Sequence, residues 1–237
     1  MTADEKSKID ADEDYGFDVA GFIHVPQVLS AADVAACNEA IDAVGRDAGM
    51  LEWPAPHCDP FRRMIGHSAI VKRLNWILGY GFRESTEPMC CVYPKGTTGG
   101  SLHGENPGSH TVFNGRQLVE QTNVAWALQD ESPGFGEDSG GFLCVPGSHK
   151  AKYPIPRGLT TSIDLPQVQK PALKAGGVLL FGGVAHGTTA WRSDRMRRTT
   201  IQFMGSSNVA LPPGKKSAGW RWSTDLNNPS NAAKAKA

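Results

Sequence analysis

Three residue types decide what chemistry this chain offers. His103-Gly104-Glu105 sets an imidazole and a carboxylate two positions apart. In extended backbone, residues i and i+2 lie on one face, so both side chains can reach one ion. His186 follows 83 residues later, behind the apolar run Gly177-Val-Leu-Leu-Phe-Gly-Gly-Val-Ala185, which reads as a buried strand opening into a Gly-Thr-Thr loop. Two neutral imidazoles and one carboxylate on one face leave open positions on iron(II), as oxygen activation requires. A His-x-Glu pair by itself is weak evidence, since short His/acid combinations are common surface features. Arg197 adds weight. It lies eleven residues beyond His186 in Asp194-Arg-Met-Arg-Arg-Thr-Thr-Ile-Gln-Phe203. This reads as a strand with Arg197, Thr199, Ile201 and Phe203 on one face. An inward guanidinium at the head of an apolar strand is costly without an anion. The distal carboxylate of a dicarboxylic acid suits its two-pronged donor edge. Arg198 belongs instead with Arg192 and Arg195 in a solvated cluster.

Elements must hold these groups. Ser30 with Asp33 three residues on forms a helix-start signal, and Val34, Cys37, Ile41 and Val44 recur at helical spacing, predicting a helix over 31–46. A second helix is expected over His67 to Leu78. From about residue 88 the texture changes to short apolar runs between Gly, Pro and Asn clusters. Met89–Tyr93, Thr122–Leu128, Phe142–Val145, Gly177–Phe181 and Thr199–Met204 have strand length and composition. Residues 104–121 read as a long loop. Helices first and many strands afterwards predict a mainly β sandwich or barrel with flanking N-terminal helices. Residues 1–14 and 227–237 read as solvated tails around one domain, 15–226.

Other polar and aromatic residues receive plainer readings. His149 shapes a turn. His110 lies in the long loop as a possible substrate contact, and His24, His57 and His67 are structural or exposed. Trp53, Trp76, Trp220 and Trp222 are packing aromatics. Asp130, Glu131, Glu137 and Asp138 form a solvated turn.

Composition narrows the function classes. Lys+Arg and Asp+Glu each number 24, which argues against non-specific binding to nucleic acid or anionic membrane. With 40% hydrophobic residues the chain can bury a substantial core. No apolar leader and no long apolar run is visible. Five cysteines without a CxxC pair read as reduced thiols, so a cytoplasmic setting is expected.

Taken together, these stretches resemble the phytanoyl-CoA dioxygenase family of iron(II)/2-oxoglutarate oxygenases. The similarity is strongest in Gly140-Gly-Phe-Leu-Cys-Val-Pro-Gly-Ser-His-Lys150. It extends through Gly176 to Arg198, the opening Gly21-Phe22-Ile23 and Val124-Ala125-Trp126, covering residues 15–210 or so. The resemblance implies a double-stranded β-helix, a jelly-roll-like (cupin-like) barrel with iron in its mouth. It implies metal ligands at His103, Glu105 and His186, and Arg197 as the clamp on 2-oxoglutarate. Thr188 stands where the family places a hydroxyl near that carboxylate, and Trp126 matches an aromatic beside the co-substrate. Fe(II), 2-oxoglutarate and O2 follow as cofactor and co-substrates, with hydroxylation of a small molecule and release of succinate and CO2. The family usually has Asp where this chain has Glu105. Halogenating relatives have a small residue there, so Glu105 favours hydroxylation. A catalytically silent cupin-like binding protein, or a metal-dependent isomerase or hydrolase, are the alternatives. No nucleic-acid or membrane partner is expected, and neither the substrate nor the oligomeric state is specified.

Overall fold

The computed structural model describes residues 3–45, 49–104, 110–113, 116–131, 139–151, 153, 155 and 165–207. The chain opens with helix α1 (Ala3–Ala20) and the short strand β1 (Phe22–Val25). The segment expected as a tail to residue 14 is therefore helical. Arg73 of a later helix grips Glu13 through its Nε/Nη2 edge, with Nη2 3.0 Å from Oε2, and Phe17 meets Trp76 edge-on. Tertiary contacts thus hold a stretch whose acid-rich composition gave no helical period.

Helix α2 (Ala31–Val44) starts where the Ser30 hydroxyl accepts the Asp33 N–H at 3.1 Å while the Asp33 carboxylate accepts the Ser30 N–H. This reciprocal cap satisfies two otherwise orphaned donors and is worth about 1 kcal/mol. The helix ends at Gly45, whose left-handed backbone donates to Ile41 O. A third helix absent from the sequence expectations, α3 (Asp59–Ile65), precedes α4 (Ser68–Leu78). Helix α4 buries Ile70, Val71, Leu74, Ile77 and Leu78 along one stripe. Burying each such side chain is worth about 2 kcal/mol, so docking rather than propensity stabilises a helix this short.

The strands follow as β2 (Arg83–Tyr93), β3 (His110–Phe113), β4 (Arg116–Val119), β5 (Gln121–Ala127), β6 (Gly141–Val145), β7 (Val178–Phe181), β8 (Ala185–Thr189) and β9 (Arg197–Gly205). Five form an antiparallel sheet in the order β1-β7-β5-β9-β2, while β6 pairs with β8 and β3 with β4. The expected long loop thus contains a hairpin, and the expected Gly-Thr-Thr loop is strand β8. The fold is mainly β with few helices, a jelly-roll-type arrangement whose sheets do not close into a barrel among the described residues.

The five-stranded sheet is covered on both faces, and this decides where every side chain goes. Val124, Trp126, Val178, Leu180 and Met204 join the core under the helices. Their alternate neighbours Ala125, Ala127, Leu179 and Phe181 turn the other way, packing on Phe142 and Cys144 of β6. The Phe142 and Phe181 rings lie 5.0 Å apart and bind the two layers together. No helix among the described residues is long and apolar enough to cross a membrane.

Candidate metal and co-substrate site

His186 is the second residue of β8, opposite Cys144 in the β6 register. On its other side it bridges His103, and the two residues exchange both backbone hydrogen bonds. His103 N–H donates to His186 O at 2.9 Å and His186 N–H to His103 O at 2.7 Å. Directly opposed antiparallel residues put their side chains on one face. Here the two ring centroids are 4.3 Å apart. The bridge belongs to a longer run along β8, in which Gly100 N–H also donates to Thr188 O. Backbone pairing across 83 residues of sequence therefore creates the histidine pair.

Each imidazole is oriented by a carbonyl two residues before it. His103 Nδ1 lies 2.9 Å from Ser101 O and His186 Nδ1 2.8 Å from Val184 O. A carbonyl only accepts, so Nδ1 carries the proton in each ring and the neutral imidazole keeps its lone pair on Nε2. That tautomer is the one a metal-binding histidine needs, with the second nitrogen fixed from behind. His186 is buried against Phe142 and Phe181, whose ring centroids lie 6.1 and 4.6 Å from its own. Burial, and secondarily the neighbouring His103, push its pKa down to about 4, so the ring is neutral at pH 7. His103 is exposed, at the open side of the pair. Glu105 lies outside the described residues. Among the described residues no group of three His, Cys, Asp or Glu converges on one point.

Arg197 points into the same interior face of the sheet, 3% exposed, as the inward reading of its strand requires. Its guanidinium lies 5.6 Å over the ring of Tyr93, its partner on β2. An anion already meets it, and that anion is Glu131. Arg197 Nη2 donates to Glu131 Oε2 at 3.1 Å and Nε lies 3.1 Å from Oε1. Burial works against the charge of Arg197, but Glu131, with smaller contributions from Cys91 and Tyr93, outweighs it and the guanidinium pKa rises. Only Nη2 makes a hydrogen bond to Glu131; Nε stands in ion-pair contact with Oε1, and both Nε and Nη1 are buried without a hydrogen-bond partner among the described residues.

Glu131 corrects the expectation of a solvated turn, for it is 1% exposed. Its carboxylate also accepts from the Thr199 hydroxyl and, at 3.3 Å, from Phe142 N–H. The backbone of Glu131 is locked by a two-way bridge to Leu173. A signal for it exists in the sequence: Gly141 at the head of β6 leaves the space that this carboxylate fills. Glu137 and Asp138 lie outside the described residues, and so do Trp220 and Trp222.

Thr188 lies opposite Phe142 in the β6–β8 register and two residues from His186, hence on the same strand face. Its hydroxyl accepts the Gly100 N–H at 3.3 Å. Trp126 does not join this group. It is fully buried on the helical face of β5, with Nε1 donating to Gln202 Oε1 at 3.1 Å and His67 against its ring edge. Strand alternation sends Ala125 and Ala127, not Trp126, towards the interior. His149 is a packing residue: its Nε2 meets Asp18 O and its ring lies on Gly21, where any Cβ would come within 2.6 Å of Nδ1. Arg198 turns to the helices and pairs with Asp42 of α2. For His110, on β3, only the backbone is described.

Iron(II) and 2-oxoglutarate fit what is present. Two oriented imidazoles offer borderline nitrogen donors, and one buried guanidinium keeps an unsatisfied N–H group for an anion.

Comparison with known proteins places the chain in a family and agrees with its fold. The family model described as phytanoyl-CoA dioxygenase matches residues 53–199. Among solved structures, HygX from Streptomyces hygroscopicus with nickel and 2-oxoglutarate bound superposes with a TM-score of 0.72 at 18% identity. That match covers 84% of this chain and 88% of HygX. The α-ketoglutarate-dependent epimerase SnoN from nogalamycin biosynthesis gives 0.64 at 17% identity, covering 92% and 93%. The carbocyclase SnoK from the same biosynthesis gives 0.61 at 20% identity, covering 86% and 87%. No curated protein matches the chain.

Proposed function

Because the chain belongs to the phytanoyl-CoA dioxygenase family and is a non-haem iron(II)/2-oxoglutarate-dependent oxygenase, we propose that His103, Glu105 and His186 hold its iron and Arg197 its 2-oxoglutarate, for hydroxylation of a small molecule. The observation that carries this reading is the His103–His186 bridge, which presents two Nε2 lone pairs side by side. When bound, iron with 2-oxoglutarate and O2 supplies the oxidising power for C–H functionalisation, releasing succinate and CO2.

The chain's own residues bind, orient and exclude water. His186 is held neutral by burial, so no proton competes for its ligating nitrogen above about pH 4. Phe142 and Phe181 wall the inner side of that ring and keep it dry. His103 lies on the exposed side, where substrate enters. Arg197 meets the far carboxylate of 2-oxoglutarate through its unsatisfied Nη1. Thr188 lies on the interior strand face next to Phe142, whose amide helps hold the counter-ion of Arg197, and adds a hydroxyl to the same end of the site.

The substrate is a small organic molecule. HygX with hygromycin B bound and SnoN with nogalamycin RO bound support this class, not those compounds. The working unit is a single domain, the expected residues 15–226 together with the rest of helix α1, which Glu13 ties to Arg73, and its setting is the cytoplasm, which five free, buried cysteines support. Anaerobic titration of Fe(II)-loaded protein with 2-oxoglutarate tests the reading. A visible metal-to-ligand charge-transfer band is expected, and its absence in the wild-type protein would return the silent-barrel alternative.

A further inference from the structure

We infer that Glu131 is a positioning residue for co-substrate binding: it holds the Arg197 guanidinium by its Nε/Nη2 side so that Nη1 remains as the donor facing the ligand. The inference rests on Arg197 being the 2-oxoglutarate clamp.

A guanidinium has two edges that can face a carboxylate. In this protein Glu131 faces the Nε/Nη2 edge, accepting a hydrogen bond from Nη2 and standing 3.1 Å from Nε; Nε and Nη1 both lack a hydrogen-bond partner among the described residues, and of the two only Nη1 lies off the edge that Glu131 faces. A counter-ion that merely neutralised Arg197 would be free to exchange with the incoming carboxylate. Glu131 is not free to do so. Its carboxylate accepts from Thr199 Oγ1 and Phe142 N–H as well as Arg197. Its backbone bridges Leu173 in both directions. Its Oε2 fills the space above Gly141, where a Cβ would stand 2.5 Å away. Glu131 is therefore the fixed member of the pair and Arg197 the member it sets. The long Arg side chain gives up its rotational freedom before the ligand arrives, so binding does not have to supply that ordering. A glutamine at 131 would have to turn its NH2 towards donors on Arg197, Thr199 or Phe142, and the guanidinium would lose its fixed edge.

The test is direct binding of 2-oxoglutarate to anaerobic Fe(II)-loaded protein, with KM for 2-oxoglutarate and kcat measured in parallel. Glu131→Gln is expected to raise Kd and KM about tenfold, the usual cost of a hydrogen bond to a charged group. Iron content and kcat at saturating 2-oxoglutarate should stay within about twofold, because no reacting atom is touched. Thr199→Val removes one of the donors holding Glu131 without changing any charge, and should raise Kd about threefold. A purely structural ion pair would lower the melting temperature and leave the Kd unmoved. Folded Glu131→Gln with unchanged or tighter binding overturns the inference. If that variant does not fold, an unchanged Kd in Thr199→Val does so instead. Wild-type protein that retains iron but takes up no 2-oxoglutarate overturns the clamp reading itself, whereas wild-type binding matched by both variants overturns only the role of Glu131.

Discussion

The Glu131 carboxylate occupies the space a side chain at Gly141 would need: a Cβ there would stand 2.5 Å from Oε2 and 3.4 Å from the Glu131 Cβ. Gly141 also holds φ at +111°, a region closed to most L-residues. Gly141→Ala is therefore expected to cost about 2–4 kcal/mol, from strain and displacement of Glu131 together. Urea unfolding measures it. A loss below about 0.5 kcal/mol, the range of ordinary surface changes, would show that the carboxylate has room to move.

Arg197 and Glu131 are both nearly inaccessible, so removing one strands the other. Arg197→Ala should cost about 3–5 kcal/mol as well as 2-oxoglutarate affinity. The double variant Glu131→Leu/Arg197→Met should regain much of that stability and none of the affinity. Thermal melts with and without 2-oxoglutarate separate the two effects. A double variant as unstable as Arg197→Ala would mean that packing, not the stranded carboxylate, sets the cost.

Loss of a metal ligand is expected to weaken iron binding by more than about 100-fold, since even supporting residues behind such ligands cost 10–100-fold. His103→Ala, His186→Ala and Glu105→Ala should each emerge from anaerobic reconstitution nearly iron-free by colorimetric assay. Glu105→Ala retaining full iron would remove that carboxylate from the ligand set.

Trp126→Phe separates the helical face of the sheet from the interior. It loses the hydrogen bond to Gln202 and part of a filled volume, and should cost about 1–3 kcal/mol. Affinity for 2-oxoglutarate should stay unchanged, because Trp126 points away from Arg197. A weakened Kd would put the indole back beside the co-substrate.

Glu84 predicts how stability follows pH. It is 1% exposed and neither carboxyl oxygen has a hydrogen-bond partner among the described residues. Burial, with a smaller contribution from Glu87, pushes its pKa up from 4.5 to about 7. Between those values the folded protein holds a proton that the unfolded chain has released. The contribution to stability is thus full below pH 4.5 and is lost as pH rises to 7, a change on the order of 3 kcal/mol. Glu84→Gln stays neutral throughout, so its melting temperature should fall less than that of the wild type between pH 5 and 8. Parallel profiles would sink this assignment.

Much of the architecture was legible because its signals are local. The Ser30/Asp33 cap and the apolar stripe of Ile70, Val71, Leu74 and Ile77 mark helices wherever they fall. Short runs such as Phe142–Val145 mark strands, and His103, His186 and Arg197 are conspicuous through residue type and spacing. Which face each strand residue takes was not legible. Residues 124–128 and 178–181 are apolar throughout because both sheet faces are buried, so no alternation tells Trp126 from Ala125. Strand β8 is too polar and Gly-containing to announce itself, and exists because β6 and the Gly100–His103 segment pair with it on either side. Glu131 looked like a surface acid until folding brought Arg197, 66 residues away, Thr199 and Phe142 N–H around it. Residue type and period are properties of a segment, whereas the desolvation of a charge and the choice of its partner arise only when distant segments are packed together.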